Sequence, residues 1–227
     1  RDRDVTGVQT CALPIYSDTE VLLHAYEEWG LDCLHRFYGM FAFAVYDARV
    51  PDRPVMHLAR DRLGVKPLYF SRTSSGEWLF ASEIRALFAH PELSPQMDRT
   101  AFWHYLTFIV TPAPMTLFKG VFKLPAGHVM SIDAQGQASA RVWWDCVPSA
   151  SKTLTEAQLS EPEAVEQLTS LLRKSIERRM VADVPFGVLL SGGVDSSMNV
   201  ALMSEMMERP VSTRSEEHTS ELQSHHD

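Results

Sequence analysis

The strongest constraint on this chain comes from an apolar run that ends in three small residues. The run is VPFGVLL at 184–190, the small residues SGG follow at 191–193, and VDSS at 194–197 is typical of a helix start. Its length and apolar character predict a strand buried on both faces of a parallel sheet. The small residues leave backbone N–H groups open to an anion, at the positive end of a helix that starts near Ser196. The segment therefore predicts a loop that binds the phosphates of a nucleotide.

Two well-known phosphate loops do not fit this segment. No Gly-Lys-Ser/Thr follows the glycines, so it is not a Walker loop, and it lacks the third glycine of the dinucleotide fingerprint. SGGVDS at 191–196 instead resembles the SGGxDS signature of the ATP-pyrophosphatase (PP-loop) family. Members of that family split ATP into an adenylate and pyrophosphate, so the resemblance implies ATP as a substrate.

Composition narrows the class of protein. The 227 residues are 45% hydrophobic, which suffices for one large or two modest domains with cores of their own. The formal net charge of −8 argues against a broad nucleic-acid surface. No apolar run approaches the length of a membrane span, and no secretory signal is recognisable. We predict a cytoplasmic protein without nucleic-acid or membrane partners. Cys11, Cys33 and Cys146 are too scattered for a disulfide framework.

The two ends of the chain are related at the level of DNA. Residues 214–224 (RSEEHTSELQS) can be written in codons whose opposite strand, in another frame, encodes VTGVQTCALPI, the sequence at 5–15. Two unrelated protein termini are not expected to be reverse complements of each other. We therefore predict that residues 1–15 and 214–227 are a translated sequencing adapter and not natural protein.

Residues 16–145 predict a mixed α/β domain with antiparallel sheets. A capping box (SDTE, 17–20) precedes a helix that ends at Gly30, and 39–46 is apolar on both sides, as in a covered strand. The other predicted elements are strands at 55–60, 67–72 and 77–81, helices at 83–89 and 98–107, and a hairpin at 128–144. The charged run RDR at 60–62 and Lys66 are predicted to be a solvated or ion-paired structural feature, with contact to another domain as an alternative role.

A change in composition marks a linker at 146–161, where Pro, Ser, Ala, Lys and Thr occur without apolar periodicity. Beyond it, apolar residues in 165–180 recur at helical spacing. This helix, the strand at 184–190 and the helix after Ser196 predict that 162–213 is the first part of a second α/β domain.

The whole of 17–213 resembles glutamine-hydrolysing asparagine synthetase and its class II glutamine amidotransferase relatives. The resemblance is carried by SDTE (17–20), GMFAF (39–43), ARDRLGVKPLY (59–69), FASE (80–83), KLPAGH (123–128) and VPFG through SGGVDSS (184–197). It implies part of an N-terminal-nucleophile (Ntn) glutaminase with an αββα sandwich, followed by the first βα unit of a PP-loop synthetase domain.

The same resemblance implies a carbon–nitrogen ligase with glutamine as the amido donor. ATP would convert the β-carboxylate of aspartate to β-aspartyl-AMP with release of pyrophosphate. Ammonia from glutamine, carried through an internal tunnel, would then displace AMP to give asparagine. The implied substrates are glutamine, aspartate and ATP, and Mg²⁺ is the implied metal ion.

For glutamine, the resemblance singles out Asp18. It matches the carboxylate that holds the α-ammonium group of glutamine, although Asp is also favoured as a helix cap. The nucleophile of the family is an N-terminal cysteine whose own amino group acts as the base. Neither Cys33 nor Cys146 matches that position. We therefore assign no catalytic residue within this chain, and we expect the 227-residue chain itself to be inactive.

For ATP, the resemblance singles out the loop after the apolar run. The positions implied in ATP and pyrophosphate binding are Leu190, Ser191, Gly192, Gly193, Asp195 and Ser196. Asp195 is in addition the implied partner of a pyrophosphate-bound Mg²⁺, since a bare carboxylate beside phosphates would be repelled. Its alternative role is that of a helix N-cap.

Two other functions stay open on the sequence. One is an amidotransferase of the same architecture that acts on another carboxylate, such as a peptide or a polysaccharide precursor, because no matched segment contacts the acceptor. The other is a non-catalytic binding module derived from this family. A homodimer of the full-length protein is also left open.

Overall fold

The computed structural model describes residues 17–147, 159–182 and 184–215. They fall into two compact units, divided between residues 148 and 149, and each unit is described by itself. Within these ranges, no helix is long and apolar enough to cross a bilayer. The predicted adapter segments, apart from 214–215, and most of the predicted linker lie outside the described residues.

The first unit contains two antiparallel sheets. Its helices are α1 (Asp18–Trp29), a 3₁₀ helix (Gly30–His35), α2 (Ile84–Leu87) and α3 (Arg99–Phe108); its strands are β1 (Ala42–Asp47), β2 (Val55–Arg60), β3 (Tyr69–Arg72), β4 (Trp78–Ala81), β5 (Val121–Lys123), β6 (His128–Ile132) and β7 (Ala138–Val142). One sheet has the order β1-β2-β6-β7 and the other β4-β3-β5. Every pairing in them is antiparallel. The prediction of a mixed α/β domain with antiparallel sheets is confirmed.

The local sequence explains the bounds of α1. Ser17 is the N-cap, and its Oγ accepts a backbone N–H three residues on, at 3.4 Å. Val21, Ala25 and Tyr26 lie on one face of the helix and are buried. The helix ends at Gly30, whose φ of 56° favours glycine and whose N–H donates to the carbonyl of Tyr26.

The four-stranded sheet has an apolar core on each face. The core on the side of α1 contains Ala25, Tyr26, Cys33, Leu34, Phe37, Val45, Ala59, Val129 and Trp143. The core on the other side contains Leu58, Leu68, Leu124, Met130 and Ile132, with Phe70 and Trp78 of the second sheet packed against it. Leu58 and Ala59 of β2 point into different cores because neighbouring residues of a strand face opposite sides. The four-stranded sheet is therefore covered by α1 on one face and by the three-stranded sheet on the other.

A polar network lies on the α1 side of the four-stranded sheet. The hydroxyl of Tyr26 donates to Asp47 at 2.9 Å, and the Arg49 guanidinium donates to the same carboxylate at 2.7 and 3.0 Å. The half-buried ring of His57 lies 5.9 Å from that of Tyr26, and its Nδ1 is 2.8 Å from Ser131 Oγ. Burial lowers the pKa of His57, and the nearby Asp47 carboxylate opposes this shift only in part.

We expect the free energy of unfolding of this unit to decrease as the pH is lowered through the range where His57 titrates. Burial, aided by Arg141, lowers its folded pKa beneath the unfolded value of about 6.5. Folding thus favours the neutral ring, so this stabilisation is complete above about pH 6.5 and is lost as the pH falls towards the folded pKa. In urea unfolding at about pH 7.5 and 5.5, His57→Gln should reduce the difference in the free energy of unfolding between the two pH values. His24→Gln, at an exposed site beside Glu27, should not. If the free energy of unfolding changed with pH to the same extent in the wild type and both variants, the assignment of this pH dependence to His57 would be wrong.

The second unit is smaller. It contains α4 (Glu161–Arg179), β8 (Val188–Leu189), α5 (Val194–Met206) and β9 (Thr213–Arg214). Ile176, Leu202 and Met203 form its core, against which Phe186 and Val188 pack. β8 and β9 pair in parallel. The described part of the predicted adapter segment thus includes the last residue of β9.

The strand predicted at 184–190 is shorter and less covered than expected. β8 has two residues, and Val184 and Leu189 are 69% and 70% exposed. The expectation of burial on both faces is wrong for the described residues. The physical reason is that one two-residue pairing with β9 and the packing of α5 supply too little apolar surface to cover both faces.

Candidate functional site

The loop between β8 and α5 is open to solvent. Gly192 has φ of 76°, and a Cβ added to it would meet no atom of the described residues within 4 Å, so the backbone is open at this position. Gly193 is the N-cap of α5, and Val194 is its first residue. The helix therefore starts earlier than the predicted position near Ser196. Its first N–H groups lie directly after the two glycines.

The side chains of the loop bring several oxygen atoms to the start of α5. Ser191 Oγ and Ser196 Oγ lie 3.2 Å apart, and the Ser196 hydroxyl donates to the carbonyl of Gly193 at 3.1 Å. Asp195 is exposed in the first turn of the helix. Its predicted alternative role as N-cap is wrong, because Gly193 holds that position. Leu190 ends the strand segment, and its N–H donates to the carbonyl of Arg214 at 2.9 Å.

This arrangement suits a phosphate group with its metal ion. α5 is thirteen residues long, so its N-terminal N–H groups carry the positive end of a helix dipole. In the described ranges, no three His, Cys, Asp or Glu side chains come together as a metal site. A Mg²⁺ ion here would therefore take most of its ligands from phosphates and water and one from Asp195, as Mg²⁺ commonly does. The residues present fit a Mg²⁺–nucleotide.

In the first unit, Asp18 lies in the first turn of α1 and is exposed. The alternative interpretation, that it caps the helix, is wrong, because Ser17 is the N-cap. Its carboxylate is thus available to solvent at the start of α1. The predicted role in holding the ammonium group of glutamine stays a prediction.

The charged run RDR at 60–62 has a structural role, but its interactions differ from the predicted ones. Asp61 is 1% exposed, and its carboxylate accepts the backbone N–H groups of Leu63, Val65 and Lys66 at 3.0–3.1 Å. The guanidinium of Arg60 donates to the carbonyls of Gly64, Lys66 and Leu124 at 2.6–2.8 Å. A structural role for Arg60 and Asp61 agrees with the prediction, but the expectation of a solvated or ion-paired patch is wrong for these two residues. Both side chains bind backbone groups of the loop at 63–66, and Arg60 also binds the carbonyl of Leu124.

The structure agrees with leaving Cys33 out of the catalytic machinery. The side chain has no exposed surface, and burial, assisted by the charge of Asp32, raises the pKa of the thiol to about 11. The thiol is thus protonated and inaccessible at neutral pH. Cys146 is exposed.

Comparison with known proteins defines the class to which the chain belongs. A glutamine amidotransferase domain family matches residues 8–144, and an asparagine synthase family matches residues 167–223. Since the first match covers more than half of the chain, the chain belongs to the glutamine amidotransferase domain family. Within that class its relatives include glutamine-hydrolysing asparagine synthetases. The resemblance found in the sequence is confirmed.

Three relatives define the range of similarity. Asparagine synthetase 3 of Bacillus subtilis is 37% identical over 194 residues, which are 85% of this chain and 30% of the relative. Asparagine synthetase 1 of the same organism is 31% identical over 189 residues, 83% of this chain and 28% of the relative. Amidase chyE of Penicillium rubens is 30% identical over 194 residues, 84% of this chain and 27% of the relative. The chain thus spans under a third of the length of each of these relatives.

The two family matches also bear on the ends of the chain. They extend into both terminal segments that the sequence assigns to a translated adapter, 1–15 and 214–227. That assignment stays a prediction. Sequencing the genomic locus through both ends tests it, and recovery of both peptides as contiguous native coding sequence would overturn it.

Proposed function

We propose that the full-length protein is an ATP-dependent, glutamine-hydrolysing asparagine synthetase. The reaction converts aspartate, glutamine and ATP to asparagine, glutamate, AMP and pyrophosphate through β-aspartyl-AMP. The observation that carries the proposal is the succession of a glutamine amidotransferase domain and an asparagine synthase segment on one chain. A carboxylate is a poor acyl donor, so activation as an anhydride with AMP supplies the leaving group that ammonia displaces.

The fold supports the proposal in each unit. A helix, a four-stranded sheet and a three-stranded sheet are stacked in the first unit, which is compatible with part of an αββα Ntn glutaminase sandwich. In the second unit, a strand, a glycine loop and a helix succeed each other, as in the first βα unit of a PP-loop domain. We propose these two assignments for residues 16–145 and 162–213, with 146–161 as the linker.

The loop before α5 is the proposed ATP site. The residues assigned to it are Leu190, Ser191, Gly192, Gly193, Asp195 and Ser196. Gly192 and Gly193 leave room for pyrophosphate against the backbone N–H groups. The Ser196 hydroxyl, which donates to the carbonyl of Gly193 in the structure, would turn to donate to phosphate. Mg²⁺ would neutralise charge on the departing pyrophosphate, and Asp195 would hold it there.

Asp18→Ala is expected to raise the KM for glutamine about 10- to 100-fold in the full-length protein, because an ammonium group loses a charged partner worth about 1.5–3 kcal/mol. The measurement is glutamate release at varied glutamine. Glu28→Ala, which removes another exposed carboxylate of α1, is the control and should leave KM unchanged. An unchanged KM in Asp18→Ala would exclude Asp18 from glutamine binding.

The 227-residue chain alone should release no glutamate, since it has no match for the N-terminal cysteine.

A second candidate is amidation of a different carboxylate. The observation in its favour is the 30% identity to a protein named an amidase rather than a synthetase. Full-length protein assayed with ATP, glutamine and a panel of acids distinguishes the two candidates. Preference for aspartate supports the first, whereas preference for a peptide or sugar acid supports the second. A non-catalytic module would consume no ATP with any acid. We further propose a cytoplasmic location without nucleic-acid partners.

A further inference from the structure

The start of α1, where Asp18 lies, has little packing of its own. Ser17, Asp18 and Thr19 are exposed, and the first buried side chain of the helix is that of Val21. The hydrogen-bonded turns of a short helix make it stiff, so its two ends move together. The position of the Asp18 carboxylate is therefore set by the contacts that hold the rest of α1.

The apolar contacts of α1 do not fix it in every direction. Ala25 and Tyr26 are buried in the core on this side of the sheet, and the half-buried Leu22 and Trp29 pack against the same core. Apolar attraction is non-directional. It opposes lifting of the helix off the sheet more than it opposes sliding along the sheet or rotation about the helix axis. A directed polar contact is needed to fix those two movements.

Tyr26 makes such a contact. Its hydroxyl donates to Asp47 Oδ2 at 2.9 Å, and a hydrogen bond restricts both distance and angle. Burial, followed by the hydrogen bond to Asp47, raises the pKa of Tyr26 to about 12, so the hydroxyl keeps its proton at neutral pH. Asp47 is the last residue of β1. The bond therefore ties the last turn of α1 to the end of a strand.

The acceptor and the ring of Tyr26 are themselves held in place. Arg49 donates to Asp47 Oδ1 through its backbone N–H and its Nε, both at 3.0 Å, and to Oδ2 through Nη2 at 2.7 Å. The same guanidinium lies 5.1 Å from the centre of the Tyr26 ring, and the His57 ring lies 5.9 Å from it. A contact between groups that are fixed in this way can position a helix precisely.

We propose that Tyr26 is a positioning residue for glutamine: bound to Asp47, it fixes α1, and α1 places Asp18 where the α-ammonium group of glutamine binds. The inference rests on the proposed role of Asp18. Tyr26 follows Asp18 by eight residues, about 12 Å of helix, and its hydroxyl is bound to Asp47. Tyr26 thus acts through Asp18 and does not touch the substrate.

Tyr26→Phe in the full-length protein is expected to raise the KM for glutamine about 3- to 10-fold and to change kcat by less than about twofold. The reason is that a displaced carboxylate weakens binding of the substrate and of the transition state alike. The measurement is glutamate release at varied glutamine. Asp47→Ala removes the acceptor instead and should raise KM to a similar extent. Tyr46→Phe, which removes the hydroxyl of a residue of β1 that is 62% exposed, is the control and should leave KM unchanged.

A double variant separates positioning from a contribution to stability. In the Asp18→Ala background, Tyr26→Phe should raise KM no further, because the group that Tyr26 positions is gone. A purely structural Tyr26 would lower the urea midpoint in Tyr26→Phe and leave KM unchanged. That result, or an equal additional rise of KM in the Asp18→Ala background, would overturn the proposal.

Failure of this inference can be told apart from failure of the proposed reaction. Asparagine formation from aspartate, ATP and ammonium chloride needs no glutamine, and it should be equal in Tyr26→Phe and the wild type. If the wild type formed no asparagine, the proposed reaction would be wrong, while the KM for glutamine would still test Tyr26. A KM raised in Asp18→Ala but not in Tyr26→Phe would overturn the inference alone. A KM unchanged in both would overturn it together with the role of Asp18.

Discussion

In the full-length protein, Asp195→Asn is expected to slow aspartate-dependent exchange of pyrophosphate into ATP about 100-fold, the scale of losing one preorganised electrostatic group. The carboxylate lies in the first turn of α5, beside the glycine loop where pyrophosphate is proposed to sit. The amide keeps the size of the side chain but not the charge that would hold Mg²⁺. Because Gly193 is the N-cap, Asp195→Asn leaves the capping residue of the helix unchanged.

Two comparisons isolate this effect. Glutamine hydrolysis, assigned to the other unit, should be unchanged in Asp195→Asn. Glu208→Gln removes an exposed carboxylate beyond the end of α5 and should leave the exchange rate as it was. Exchange as fast in Asp195→Asn as in the wild type, at every Mg²⁺ concentration, would remove Asp195 from the ATP site.

Asp61→Asn is expected to destabilise the first unit by about 2–4 kcal/mol. The carboxylate of Asp61 is buried and accepts three backbone N–H groups. An amide has one acceptor oxygen, and its NH₂ group would face at least one of those donors. At least one buried hydrogen bond is therefore lost, and a buried donor is left without an acceptor.

Urea unfolding followed by tryptophan fluorescence measures this loss. Asp52→Asn, at an exposed position in the β1–β2 turn, is the matched control and should change stability by less than about 0.5 kcal/mol. If Asp61→Asn changed the free energy of unfolding as little as Asp52→Asn does, the loop at 60–66 would not depend on the buried carboxylate.

The sequence predicted the fold best where local signals decide it. Ser17 and Gly30 set the ends of α1, and β2 has the predicted bounds of 55–60. β5 was missed because it has three residues, and its pairing of Val121 with Ser71 in β3 is distant in sequence. The length and burial of the strand predicted at 184–190 were overestimated, since apolar composition does not reveal how much of a sheet is present to cover a strand.

The same distinction applies to the candidate sites. The loop at 190–196 was found because its glycines, hydroxyls and carboxylate are contiguous in the chain, and the structure brings Ser191 and Ser196 together as neighbours. The role of Asp61 was not found, because its partners are backbone N–H groups and an RDR run is more typical of a surface.

The central claim is the proposal that ATP activates an aspartate carboxylate as an anhydride with AMP, and an isotope measurement tests it most directly. Full-length protein is supplied with ATP, glutamine and aspartate labelled with ¹⁸O in its β-carboxylate. In the proposed reaction, a carboxylate oxygen attacks the α-phosphorus and pyrophosphate leaves. Ammonia then attacks the acyl carbon, and the C–O bond to AMP breaks. The account predicts one ¹⁸O atom in AMP for each asparagine formed. Unlabelled AMP, or ¹⁸O in inorganic phosphate with ADP as the nucleotide product, would contradict it.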